Sequence, residues 1–300
     1  MSCKIIVHGG AGGTSPRARR EVRKAARKGM EILQDGGSAL DAVVAAVVHM
    51  EDIEVFNAGV GSMLRKDGIT IEMDAAVATS EGLQAGVGAI RGVRHPVLLA
   101  LQVARDKAVR FLSGEGATEM AERLGLDQHP GASEEAIERW KRMQDDLERD
   151  ESGVFSSGQI NPDGVKGKGR NPVSAGNHDT VGAIALDATG IFALASSTGG
   201  SGNMPVGRVG DVPLEGDGFQ IGNRGGVLAT GVGEVISELH GSRRAYQRLQ
   251  GGIDPQVACQ ETVAVFPEGV DIGFIALTRR SKGIATAKNC PMASYSITEP

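Results

Sequence analysis

The hydrophobic segments of the C-terminal half arrive as pairs joined by tight turns. Thr180-Val-Gly-Ala-Ile-Ala-Leu186 reads as a strand, Asp187-Ala-Thr-Gly190 as a turn, and Ile191 to Ser196 as the return strand. Asp271 to Leu277 and Gly283 to Ala287 make another hairpin. Earlier in the chain, Asp67-Gly68 marks a hairpin turn between Ser62–Lys66 and Ile69–Met73. Strands that return directly pair antiparallel, whereas parallel neighbours need a long crossover between them. The pattern predicts an α+β fold of antiparallel sheets covered by helices, not a doubly wound parallel sheet.

The helices follow from apolar spacing. Lys4 to Val7 is a short buried strand, and residues 17–34 then carry Val22, Ala26, Met30 and Leu33 on one stripe. Gly36-Gly37 ends that helix and Ser38 caps the next, Ala39 to Met50, which is nearly all Ala and Val and so is buried on most sides. Gly86 to Val93 is a strand, and Pro96 opens a helix expected over Val97 to Leu112. Further helices are expected over 115–124, 133–149, from Gly233 to about Leu249, and from Pro255 to about Thr262. Glycine is about twice its usual share, at 44 of 300 residues, while aromatics are only 3%. Such a core packs its elements closely.

Composition excludes several function classes. A net charge of −5 gives no global attraction to nucleic acid. The seven basic residues between Arg17 and Lys28 read as a solvated helix face. No run approaches the roughly 18 apolar residues of a membrane span. Three cysteines without a CxxC pair make neither a disulfide framework nor a zinc ribbon. The opening Met1-Ser-Cys-Lys-Ile-Ile-Val-His8 runs straight into a strand without a signal-peptide core, so a cytoplasmic chain is expected. His8-Gly-Gly-Ala-Gly-Gly13 follows a strand and precedes a helix, but it lacks the third glycine of a dinucleotide loop. Neither a phosphate-binding GxxxxGK[ST] nor a GxSxG elbow occurs, and no His pair has HExxH spacing.

One threonine stands in an unusual place. Residues 151–178 hold Ser, Gly, Asn, Pro and Lys without apolar periodicity, as a linker, lid or cleavage region does. Thr180 follows as the first residue of a hydrophobic strand. Threonine also simply favours strands, and position alone leaves that plain reading open. Were the Asp179–Thr180 bond cut, Thr180 would carry a hydroxyl beside a free α-amine. Such an amine has a pKa of about 7.7–8.0, suited to a general base at neutral pH. Threonine activated by its own N-terminal amine is a known nucleophile.

Neighbouring segments bear on the choice. His178-Asp-Thr-Val-Gly-Ala-Ile-Ala-Leu-Asp187, Ser197-Thr-Gly-Gly200, Gly207-Arg-Val-Gly-Asp211 and Thr230-Gly-Val-Gly-Glu234 follow in order. His8-Gly-Gly-Ala-Gly12, Gly36-Gly-Ser-Ala-Leu-Asp-Ala42, Phe56-Asn-Ala-Gly59, Gly61-Ser62 and Glu72-Met-Asp-Ala75 precede them. Together, over nearly the whole chain except about 126–176, they resemble the plant-type asparaginase and isoaspartyl peptidase family of N-terminal nucleophile hydrolases. The resemblance implies a four-layer αββα sandwich in one domain spanning 1–300. It implies autocatalytic cleavage into an α subunit (1–179) and a β subunit (180–300), with such units paired as homodimers. It implies hydrolysis of L-asparagine and of β-aspartyl dipeptides, with no cofactor for catalysis.

The resemblance also implies roles for single residues. Thr180 would be the nucleophile and Thr198 would hold its orientation. Thr230 and the Gly231 N–H would form the oxyanion hole. Arg208 and Asp211 would grip the substrate's α-carboxylate and α-ammonium, Gly233 would add a backbone contact, and Asn57 would sit beside the nucleophile. The carbonyls of Met50, Glu51, Ile53, Phe56, Ala58 and Val60 would coordinate a structural sodium ion. Asp217 stands where the family usually carries a small residue, and Asp179 where many members have glycine. The His-Asp-Thr form occurs in glycosylasparaginases too. A glycosylasparaginase, a threonine-aspartase relative, or an uncleaved scaffold protein with the same fold remain alternatives at this stage.

Overall fold

The computed structural model describes residues 2–106, 108–149, 180–288 and 290–299. The expected linker at 151–178 and the Asp179 side of the expected cleavage bond lie outside the described residues.

Among the described residues, eleven strands form two sheets, flanked by eight α-helices. The larger sheet comprises β1 (Lys4–Ala11), β2 (Met73–Thr79), β3 (Gln84–Ile90), β4 (Phe111–Ser113), β5 (Val181–Leu186), β6 (Phe192–Thr198) and β11 (Met292–Thr298). Its order is β11-β1-β5-β6-β2-β3-β4, antiparallel except for β3 with β4. The smaller sheet is antiparallel, in the order β10 (Lys282–Thr286), β9 (Ile272–Leu277), β8 (Gly225–Gly231), β7 (Phe219–Gly222).

Side-chain parity builds the layers, because successive strand residues point to opposite faces. In β2, Met73, Ala75 and Val77 join the apolar cluster shared with α1 (Pro16–Gln34), α2 (Ala39–Glu51) and α3 (Pro96–Arg105). Ala76 and Ala78 point the other way and meet Ile6, Ile184, Leu194, Leu228 and Ile275 between the two sheets. The outer face of the small sheet packs on α7 (Gly241–Gln250) and α8 (Pro255–Val263) through Tyr246, Leu249, Cys259 and Phe274. The result is a four-layer αββα sandwich. Its close packing explains the small residues. At Gly29 of α1, an added Cβ would stand 2.4 Å from Ile5 and 2.8 Å from the Ala42 carbonyl of α2.

The helix starts agree with the capping chemistry. Ser15 accepts from the Ala18 N–H ahead of α1, and Ser38 accepts from the Asp41 N–H ahead of α2. Several expectations are corrected. No strands form at 62–66 and 69–72, because the Asp67 carboxylate accepts from the N–H groups of Ile69 and Thr70 and the Thr70 hydroxyl, closing a side-chain turn. The helix opened by Pro96 stops at Arg105, and Phe111–Ser113 pairs instead with Gly86–Gly88. The helix expected over 233–249 is two, α6 (Gly233–Leu239) and α7. His240 lies between them in the left-handed region, at φ 48°. The Asp217 carboxylate meets His240 Nδ1 at 2.7 Å and the Asp217 carbonyl accepts from Ser242 N–H at 3.1 Å, which fixes the break. Strands β4, β7, β8 and β11, and β2 beyond Met73, are not expected from the sequence.

Two helices remain, α4 (Gly114–Arg123) and α5 (Glu134–Arg149). From α5, the Trp140 indole N–H donates to the Arg65 carbonyl at 2.9 Å and Arg139 donates to the Gly61 carbonyl at 2.6 Å. No described helix is long and apolar enough to cross a membrane.

Candidate active site

One end of the inter-sheet layer gathers the hydroxyls. In β5, Ile184 and Leu186 face the second sheet, and Thr180 shares their parity. In β6, Phe192 and Leu194 do so, and Thr198 shares theirs. The pairing runs Val181 with Ser197, so one further step sets Thr180 opposite Thr198. Thr198 in turn pairs with Asp74 of β2. On the other side, His8 pairs with Gly182, and the regular register of β1 breaks between His8 and Ala11. Thr180, Thr198 and Asp74 therefore form a row across three strands. Thr180, Thr198 and Asp74 are all buried.

The second sheet supplies the facing hydroxyl. A Cβ on Gly226 would touch Ile184, and one on Gly182 would touch Leu228. Continuing that progression by two residues brings Thr230 over Thr180. Thr230 Oγ1 accepts from the Ala11 N–H at 3.2 Å, at the end of β1. Gly231 follows at φ 134°, and a Cβ there would lie 2.1 Å from the Asp271 carbonyl. Only glycine fits, which explains the Thr-Gly pair and leaves its backbone in an orientation closed to other residues.

His8 lies below this row, fully buried. Its Nδ1 accepts from Gly10 N–H at 3.3 Å, and burial pushes its pKa down to about 3. It is a neutral imidazole at physiological pH.

Asn57 organises the turn after Thr198. Its side chain donates to the Gly200 carbonyl at 2.6 Å and accepts from Met63 N–H at 2.9 Å. Its carbonyl accepts from Gly199 N–H at 2.8 Å, and Thr198 Oγ1 accepts from Gly200 N–H at 3.1 Å.

Arg208 and Asp211 converge over the start of α6. A Cβ on Gly233 would stand 2.7 Å from both Arg208 Nη2 and Asp211 Oδ1. Arg208 is half-buried, and its Nε and Nη2 reach Glu234 Oε1 at 2.9 and 2.7 Å. Asp211 is 4% exposed, and its Oδ2 has no hydrogen-bond partner. Burial pushes its carboxyl pKa up to about 7, with Arg208 acting against the shift. A buried acceptor beside a guanidinium fork suits a ligand with an ammonium next to a carboxylate.

The expected sodium loop, Met50 to Val60, is tightly wound. A Cβ on Gly59 would stand 2.3 Å from the Glu51 carbonyl oxygen, and one on Gly61 would stand 2.0 Å from that of Phe56. The carbonyls of Met50, Ile53 and Ala58 accept from Ile53, Phe56 and Gly61. The Met50 carbonyl also accepts from Asp52 N–H, whereas those of Ile53 and Ala58 keep a second lone pair, and neutral carbonyl oxygens suit a hard monovalent cation. The Glu51 side chain serves elsewhere. It accepts from Val97 N–H at 3.0 Å, and burial raises its pKa to about 8. No described group of His, Cys, Asp and Glu could hold a transition metal.

Asp217 turns toward His240 and the helix break. Three side chains that reading by motif left without a role, Arg65, Glu72 and Asp74, lie beneath the Arg208 loop. Two carboxylates spaced i, i+2 at the start of a strand share one face, which was a legible signal for Glu72 and Asp74. Arg65 gave none, since an arginine in a polar segment reads as exposed.

The chain is similar over most of its length to known proteins. An isoaspartyl peptidase/L-asparaginase of Danio rerio is 39% identical over 89% of this chain and 82% of its own length. A plant-type L-asparaginase of Pyrococcus horikoshii is 35% identical over 97% of this chain and 94% of its own. An isoaspartyl peptidase/L-asparaginase of Xenopus laevis is 38% identical over 96% of this chain and 89% of its own. A family model described as Asparaginase matches residues 1–299, and the chain belongs to that family.

Proposed function

We propose that this chain hydrolyses L-asparagine to L-aspartate and ammonia and cleaves β-aspartyl (isoaspartyl) dipeptides, after cutting its own Asp179–Thr180 bond. The relatives' names support the reactions. The single observation that supports the site is the row of Thr180 and Thr198 facing Thr230, with Arg208 and Asp211 at the same end of the fold.

In the precursor, Thr180 Oγ attacks the Asp179 carbonyl carbon. The acyl group moves from nitrogen to oxygen, and water opens the ester, leaving an Asp179 carboxylate and a free Thr180 amine. In turnover, that amine takes the hydroxyl proton as Oγ attacks the side-chain carbonyl of the substrate. Thr230 and the Gly231 N–H receive the developing oxyanion. The proton passes to the leaving ammonia or amino acid, and water hydrolyses the β-aspartyl ester. Arg208 holds the α-carboxylate, Asp211 the α-ammonium, and Gly233 lines the floor beneath both. Thr198 orients Thr180, and Asn57 holds the turn behind Thr198.

The reading extends to a cytoplasmic homodimer of α–β units that needs no catalytic cofactor. A sodium ion on the carbonyls of Met50, Glu51, Ile53, Phe56, Ala58 and Val60 would stiffen the loop carrying Asn57.

Mass spectrometry of purified protein should find a fragment that begins at Thr180. Ammonia release from L-asparagine, assayed beside an isoaspartyl dipeptide and a glycosyl-asparagine, should be fastest on the first two. Thr180→Ala should stay a single band on a denaturing gel and turn over nothing, while Thr180→Ser should retain some cleavage. Normal turnover by Thr180→Ala would refute the assignment.

A further inference from the structure

The loop that carries Arg208 and Asp211 has no strand to pair with. Residues 199–218 form no strand of either sheet. Backbone groups of such a loop must find other partners. Three of them find side chains rooted at one place. Glu72 Oε2 accepts from the Gly207 N–H at 2.6 Å. Asp74 Oδ2 accepts from the Gly210 N–H at 2.9 Å. Arg65 Nη2 donates to the Arg208 carbonyl at 3.0 Å. The backbone of Arg208 is thus held at its own carbonyl and on both sides.

The anchors are themselves fixed. Glu72 and Asp74 flank Met73 at the start of β2, with Met73 locked in the helix-side core. Asp74 Oδ1 accepts from the Ala89 N–H of β3 at 2.8 Å, so each of its oxygens has a backbone donor. Glu72 Oε1 takes Arg91 at 2.7 Å, and Oε2 lies 3.3 Å from Arg65 Nε. Arg65, Glu72 and Asp74 are all no more than 2% exposed. The atoms nearest the space above Gly233 belong to Arg208 and Asp211 and to none of these three.

We propose that Glu72 and Asp74, braced by Arg65, are positioning residues that set the substrate-binding geometry of Arg208 and Asp211 by holding the Gly207–Gly210 backbone. This rests on the reading of Arg208 and Asp211 as the grip on the substrate. The consequence is a separation of effects. Disturbing the clamp misplaces the guanidinium and the carboxylate, which act on binding. It leaves Thr180 and its amine, which act on bond making and on self-cleavage.

The test uses the full-length, self-processed protein with L-asparagine. Asp74→Asn puts an NH2 group against one of two N–H donors, so one backbone bond is lost. The loss of such a charge-assisted bond should raise KM about 10- to 100-fold. kcat should change by less than about threefold, and the gel should show complete cleavage. Glu72→Gln keeps an acceptor for Gly207 but loses the ion pairs, so its rise in KM should be smaller, about 3- to 10-fold. A drop in melting temperature with KM unchanged would make both residues merely structural and overturn the proposal. A fall in kcat or in cleavage with KM unchanged would overturn it too, since Asp74 would then serve its neighbour Thr198. Should Asp74→Asn fail to fold, Glu72→Gln decides alone by the same criteria. Arg208→Ala is run beside them. If it leaves KM unchanged, the reading of the grip itself fails. If it raises KM and the clamp variants do not, only the clamp fails.

Discussion

Asp211 should make substrate capture depend steeply on pH. Its carboxyl lies in a buried site with one oxygen unpartnered, and burial moves its pKa from 3.8 to about 7. Only the ionised form attracts an ammonium. One unit below that pKa, about one site in eleven is ionised, so this group alone lowers kcat/KM about tenfold near pH 6 and about a hundredfold near pH 5. The effect falls on free enzyme, because a bound ammonium holds the carboxylate in its charged form. In the proposed mechanism the freed Thr180 amine, with an ordinary pKa of about 7.7–8.0, gives kcat its own acid limb. The acid limb of kcat/KM should therefore be one unit steeper than that of kcat. Initial rates of ammonia release between pH 5 and pH 9, for wild type and Asp211→Asn, test this. The variant should lose about 100-fold or more in plateau kcat/KM, and its acid limb should lose one unit of slope. An acid limb of unchanged steepness in Asp211→Asn would refute the reasoning.

The same shift has a cost in stability. The folded carboxyl binds its proton more tightly than the unfolded one. Its contribution to stability is present below about pH 4 and is lost as pH rises through about 7, by about 4 kcal/mol. Asp211→Asn should therefore melt higher than wild type at pH 8, while the two converge near pH 4.

Further outcomes concern the oxyanion site and the inter-sheet core. Thr230→Ala should lower kcat about 10²- to 10³-fold if its hydroxyl stabilises the oxyanion, as single-turnover ammonia release would show. Phe192→Ala, which empties a fully buried position between the sheets, should destabilise by about 3–5 kcal/mol in urea unfolding of the Thr180→Ala precursor, without altering the Arg208 loop.

What could be read along the chain depended on local physics. The turn at Asp187–Gly190 and the Ser38 cap are set by neighbours in sequence, and both appear where expected. The hairpin at Asp67-Gly68 misled because a carboxylate within reach of its own backbone outcompeted the ladder. The unforeseen β7 and β8 are rich in glycine, and glycine hides the alternation by which a strand is recognised. The ordered motifs named the residues Thr180, Thr198, Thr230, Arg208 and Asp211, because motif order is a linear property.

The chain's sequence by itself thus determined the class of fold, most of its helix starts and the candidate residues of the site. Tertiary structure alone decided that Thr230 lies over Thr180, that Asp211 keeps an oxygen unsatisfied, and that Arg65, Glu72 and Asp74 hold the loop between them. Those outcomes rest on strand parity and register between segments distant in the chain, and on burial, which raises a carboxyl's pKa only once other elements have excluded water from around it.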